Sequence, residues 1–128
     1  MREETRQWFA QASADLKAAR DNVVSENFYL VGFLCHQAVE KGLIALLIER
    51  HARAPPHSHS LRRLADELDL PLRLQEEVDL LEPAYTDSRY PDVHEDVPAE
   101  RYSKSDAERM IIITEDLFEW IRKRIAAS

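Results

Sequence analysis

The chain reads as an all-α protein of one domain, and three observations carry that reading. Only two glycines occur in 128 residues, too few for the turns of a sheet protein. Apolar residues recur at intervals of three and four along most of the chain, the period of helices with one buried face. Hydrophobic residues make up 45% and charged residues 32%, the balance of a globular rather than a disordered chain. The length fits a single domain over residues 1–128. A chain of this size buries roughly two thirds of its unfolded surface, enough for one core without covalent staples.

A first helix is expected over residues 3–24, where Trp8, Ala12, Leu16, Ala19 and Val23 share a face. Ser25 is its expected cap before the second segment. That segment, residues 26–51, is apolar round most of its circumference, through Phe28, Tyr29, Val31, Phe33, Leu34, Val39, Leu43 and Leu47. A helix apolar on all sides is buried by several neighbours, so it belongs at the centre of a bundle. Pro55 and Pro56 close it. A third helix over 60–68 carries Leu61, Leu64, Ala65 and Leu68. A fourth over 71–86 carries Leu74, Val78, Leu81 and Tyr85, with Pro71 near its first turn and Pro83 expected to kink it or to shift its last turn to a looser geometry.

Residues 87–102 hold acids and prolines and show no helical period, so a long ordered loop is expected before the last helix. Connections of that length in compact domains are often functional. The last helix follows Ser103, with Asp106 three positions on as a near capping box. Its expected buried stripe is Ala107, Met110, Thr114, Leu117, Ile121 and Ile125. Arg122, Lys123 and Arg124 fall in its final turns, where positive charge complements the helix dipole. Phe33, Leu43, Leu47, Leu64, Leu81, Leu117 and Ile121 are expected to be largely buried, with the segment 26–51 at the centre.

The 17 basic and 24 acidic residues give a net charge of −7. That is the wrong sign for a generic phosphate-backbone binder, which gains affinity by displacing counterions with lysines and arginines. A DNA-binding module is not expected. The single cysteine, Cys35, excludes an internal disulfide and suits a reducing compartment. The N-terminus lacks a signal-peptide pattern, and the longest apolar stretch, residues 42–48, is far short of a membrane span. A cytoplasmic location without membrane association is expected.

Three stretches resemble a known family. Cys35-His36-Gln37-Ala38-Val39-Glu40-Lys41-Gly42-Leu43 is close to one helix motif of the HEPN proteins (higher eukaryotes and prokaryotes nucleotide-binding). His59-Ser60-Leu61-Arg62-Arg63-Leu64 and Tyr85-Thr86-Asp87-Ser88-Arg89-Tyr90-Pro91-Asp92 resemble two further motifs of that family, in the same order and spacing. Ile44 stands where the family usually has lysine. The resemblance implies an up-and-down bundle of four to five helices, usually a homodimer. It also implies a nucleotide or RNA ligand, or a minimal nucleotidyltransferase partner in a toxin–antitoxin-like pair. Some members are metal-independent ribonucleases with an Arg-x4–6-His motif in a cleft shared by two protomers.

Arg89 and His94 match that spacing. Histidine exchanges protons near neutral pH, and arginine holds a phosphate bidentately as charge builds. Against this, five residues on a helix turn side chains about 140° apart, Pro91 pushes Tyr90 out of helical geometry, and active members usually carry a small polar residue where Tyr90 stands. The other reading has Arg89 tying the loop to the bundle and His94 solvated.

His36, Gln37, Glu40 and Lys41 interrupt the apolar helix at neighbouring turns. They form either a charged solvent edge or, with Tyr85, Tyr90 and Asp92, a nucleotide or RNA groove. In the groove, a buried Glu40 requires a hydrogen-bonded cation, with Arg89 its first expected partner. His51, His57 and His59 do not converge as a metal site would require. His59 is expected to bond locally beside a capping Ser58 or Ser60, and Cys35 to be a buried small hydrophobe. No metal and no cofactor is expected. Finally, Phe28, Tyr29, Ile112, Ile113, Phe118 and Trp120 exceed what one neighbouring face needs, which predicts a dimer through helix faces.

Overall fold

The structure, a computed structural model, describes residues 1–53, 59–88 and 97–128. The described residues form three long helices, one of intermediate length and three short ones, with no strand among them. The elements are α1 (Glu3–Val24), α2 (Phe28–His51), α3 (Leu61–Ala65), α4 (Leu72–Leu81), α5 (Ala84–Asp87), α6 (Pro98–Arg101) and α7 (Lys104–Ala127).

Helix α2 is the axis: α1 and α7 pack along it, and α3 to α6 cover its remaining surface. Val31, Cys35, Val39, Leu43, Leu46 and Leu47 are buried on it, as its apolar circumference requires. By length and composition alone α2 could cross a bilayer, at a mean hydropathy of 1.5, yet 78% of that window is buried inside the bundle. Its two glycines face α7. A Cβ on Gly42 would lie 3.1 Å from Ile121 Cδ1, and one on Gly32 3.2 Å from Met110 Sδ. The missing side chains let the two longest helices approach closely.

Most elements begin and end for local reasons. Ser25 is the C-cap of α1, its N–H directed at the carbonyls of Asp21 and Val23. Glu26 then takes a left-handed φ of 62°, so α2 starts at Phe28, later than the expected residue 26. At the other end Ala52 adopts the left-handed cap conformation and donates to the Ile48 carbonyl. The capping box of α7 is complete: Asp106 N–H donates to Ser103 Oγ at 3.1 Å, and Ser103 N–H to Asp106 Oδ2 at 2.9 Å.

Three sequence expectations are corrected. The helix expected over 71–86 is two helices, because Pro83 lacks an N–H and its ring collides with the carbonyl one turn back. The stretch 87–102, expected to be loop, ends in the short helix α6, opened by the buried Pro98 in its first turn. Helix α3 is also shorter than residues 60–68, although Leu68 and Leu70 beyond it are still buried.

Of the expected core residues, Leu43, Leu47, Leu64, Leu81, Leu117 and Ile121 are buried. Phe33 is half-buried, its ring 6.1 Å from that of Tyr85. Ile113 and Phe118, expected to add to a surplus apolar surface, are buried inside the bundle, Phe118 against Phe9. Ile112 remains outside, 66% exposed.

Candidate functional site

The site is built where α2 meets α3 and the break between α4 and α5. His36 and Glu40 lie one turn apart on α2, so they share a face. Both are enclosed: His36 is fully buried and Glu40 is 6% exposed. Opposite them stand His59, Ser60, Glu82 and Tyr85.

Glu40 Oε1 lies 3.0 Å from His59 Nδ1. The His59 ring stacks on Tyr85, with centroids 4.5 Å apart and planes inclined by 16°. Tyr85 also meets the ring of His36, with centroids 5.3 Å apart. Tyr85 thus links the buried His36 to His59, whose side chain is 59% exposed.

Glu82 anchors this row to the scaffold. Its Oε1 accepts from Ser60 Oγ at 2.7 Å and its Oε2 from the Leu61 N–H at 2.8 Å. One carboxylate thus satisfies free donors at the start of α3, where negative charge also favours the helix dipole. Ser60 adds its own cap, accepting from the Arg63 N–H at 3.2 Å. His36 Nε2 is 3.6 Å from Glu82 Oε2, beyond hydrogen-bond reach, and neither ring nitrogen of His36 has a partner among the described residues.

Burial governs the protonation of these groups. It lowers the His36 pKa from its ordinary value, the Glu82 carboxylate opposing. It raises that of Glu40, with His59 and Lys41 pulling the other way. Burial thus favours the uncharged form of His36, and the groove is lined by carboxyl groups, imidazole and phenol rings and a hydroxyl.

The residues singled out in the sequence divide. His36, Glu40 and Tyr85 come together. Lys41 does not join them: it points to Asp15 on α1, 2.5 Å away. The reason is helical geometry, since adjacent residues are turned by about 100° and Lys41 leaves the face that Glu40 occupies. Gln37 is half-buried, with its Oε1 unpartnered among the described residues. Arg89, Tyr90, Asp92 and His94 lie outside the described residues, as do His57 and Ser58. The expected Arg89–Glu40 pairing lies outside them for the same reason. His59, expected to bond locally, instead reaches across to Glu40 and Tyr85. Glu82 gives no signal in the sequence, because a capping carboxylate from another helix leaves no spacing pattern. No group of three metal-ligating side chains occurs among the described residues.

An all-α bundle around a buried central helix, with histidine and carboxylate motifs brought to one groove, defines a helical domain of recognisable class. The HEPN domain family matches residues 5–124, and the chain belongs to that family. TT1696 from Thermus thermophilus is similar in structure, with a TM-score of 0.90 and 26% identity, covering 96% of this chain and 99% of that one. ST0689, described as an archaeal HEPN homologue, is similar with a TM-score of 0.83 and 30% identity, covering 97% of this chain and 99% of that one. The curated proteins searched contain no match.

Proposed function

We propose that this HEPN domain is a homodimeric, cytoplasmic module that binds a nucleotide or single-stranded RNA in the groove between α2 and α3. The observation that carries the reading is the His59–Tyr85 stack, open to solvent through His59. An aromatic pair held rigid at a surface is a platform for a base, since every base has a π-face. The surrounding chemistry supports base and ribose contacts over phosphate contacts. Glu40 and Glu82 are acceptors, suited to the N–H and O–H donors of bases and sugars, and the chain's net charge of −7 disfavours the phosphate backbone. A minimal nucleotidyltransferase in a toxin–antitoxin-like pair is the protein partner the family resemblance brings to this reading.

The test is fluorescence anisotropy with a labelled single-stranded RNA, competed by free nucleotides. Tyr85→Ala is expected to weaken binding by about 1–3 kcal/mol, the range for loss of one base–aromatic stack. Equal affinity of wild type and variant would refute the platform.

A second reading is a metal-independent ribonuclease centred on Arg89 and His94. One observation favours it: four residues separate Arg89 from His94 in the sequence, which fits the Arg-x4–6-His spacing of the ribonucleases that the chain resembles. Loss of RNA cleavage in EDTA on Arg89→Ala or His94→Ala would establish that reading; undiminished cleavage would remove it.

A further inference from the structure

Helices α2 and α7 run parallel, since Gly32 meets Met110 and, further along both, Gly42 meets Ile121. Their C-terminal ends therefore lie at the same pole of the bundle. Between them is a pocket of about 430 Å³, lined by Glu49 and Arg50 from α2 and by Arg124, Ala127 and Ser128 from the end of α7. The chain has 24 acidic against 17 basic residues, so carboxylates are in surplus. Yet neither Arg50 nor Arg124 forms an ion pair or a side-chain hydrogen bond among the described residues.

The helix ends do not use these two guanidinium groups as caps. Free carbonyls are the natural acceptors at a helix C-terminus, and here other donors meet them. The Ala52 N–H donates to the Ile48 carbonyl, and Arg2 Nε to that of Glu49. Ser128 donates its Oγ–H to the Arg124 carbonyl at 2.7 Å and its N–H to that of Ile125. Glu49, the one acid on the pocket wall, is engaged as well: its Oε1 accepts from the Arg2 N–H at 2.9 Å. Three cations, Arg2, Arg50 and Arg124, thus stand against one carboxylate, in a chain whose net charge is −7. Arg124 is also held in place, its Cζ 5.2 Å from the centre of the Trp120 ring. A guanidinium that is already restrained loses less freedom when it binds an anion. Its Nε is buried without an acceptor.

We propose that this pole is an oxyanion site, separate from the α2–α3 groove, which takes a small phosphate monoester between Arg50 and Arg124. A guanidinium presents paired N–H donors that match two phosphate oxygens, so arginines from two helices can each hold one edge of the group. A volume of about 430 Å³ is at the small end of ligand pockets and leaves room for a short alcohol beyond the phosphate. RNA binding in the groove neither requires this site nor excludes it.

The experiment titrates the full, isotope-labelled chain with inorganic phosphate and with glycerol phosphate, at an ionic strength held constant with sodium chloride. It is run above about pH 7, where a phosphate monoester is close to a dianion. The Trp120 indole N–H signal is the reporter, and Trp8, which lines a different pocket with Lys41, is the reference. Both phosphates are expected to shift Trp120 saturably with one dissociation constant each, leaving Trp8 and the His59 ring in place. Arg50→Gln is expected to weaken binding on the order of tenfold, the scale of a lost charge-assisted hydrogen bond, and Arg124→Gln at least as much. A Trp120 shift that sodium chloride alone reproduces overturns the site, as does unchanged affinity in Arg50→Gln. Phosphate that moves His59 and not Trp120 places anion binding in the groove and overturns it too. Succinate binding as tightly as phosphate overturns the ligand class. Arg50→Gln removes no hydrogen bond of the fold, so it decides the matter even if Arg124→Gln unsettles the end of α7.

Discussion

Glu82 accepts the backbone N–H of Leu61 at 2.8 Å, fastening the break after α4 to the first turn of α3. The same carboxylate takes the Ser60 hydroxyl and lies 3.3 Å from the Arg62 N–H. Glu82→Ala would leave these donors to water or unpaired. We expect a loss of about 1–3 kcal/mol in unfolding free energy, the range for stranded donors to a charged acceptor. Urea denaturation measures it, and an unchanged midpoint would show that Ser60 alone caps the helix. Because His59 adjoins Ser60, the variant should also disorder the His59–Tyr85 stack.

Much of this fold was legible in the sequence, and the exceptions have particular causes. The central helix was visible because Val31, Leu34, Leu43 and Ile44 point to all its sides, a pattern of a helix surrounded by neighbours. Ser103 and Asp106 marked the start of α7 through a spacing that closes two hydrogen bonds. The helix α6 was missed because four residues are too few to show a period. In the site, the one-turn spacing of His36 and Glu40 puts them on one face of α2, whereas Lys41, adjacent to Glu40 in sequence, is turned away from it by helical rotation. The His59 contacts join α2, α3 and α5, and relations of that kind depend on tertiary packing that no local pattern encodes.

Glu77 on α4 supplies a pH dependence. Burial, and then the Asp116 carboxylate on α7, push its pKa up to about 7, with Arg73 opposing. Its Oε2 is buried without a partner among the described residues. Asp116 shifts down, held by the Glu77 carboxyl and by Arg73, so the pair retains one proton. A carboxyl with a raised folded-state pKa binds more protons folded than unfolded, and stability falls as pH rises between the two values. Between pH 4.5 and about 7, wild type should therefore lose melting temperature relative to Glu77→Gln. His36 acts in the opposite sense, since its lowered pKa costs stability as pH falls, but it is common to both proteins. Parallel melting curves across this range would contradict the assignment.

The proposed dimer has a smaller apolar basis than the sequence suggested, since Ile113 and Phe118 are internal. Of the six, Phe28, Tyr29 and Trp120 are half-buried and Ile112 is exposed, beside Val23 and Ile111 in a shallow cleft between α1 and α7. Sedimentation equilibrium at micromolar concentration is expected to give twice the 14.9 kDa chain mass, and Ile112→Glu to shift it toward the monomer. A wild-type species at the monomer mass would remove the dimer, and with it any cleft shared between protomers.

The claim that the α2–α3 groove is a ligand site is tested most directly by the histidine ring resonances during titration with single-stranded RNA. His59 stands at the groove's mouth and His36 at its floor, while His51, exposed at the end of α2, serves as the internal reference. The account predicts saturable shifts of the His59 and His36 signals with a single dissociation constant, and a His51 signal that stays in place. A His59 signal that does not move at saturating RNA, or that moves no more than His51, would contradict it.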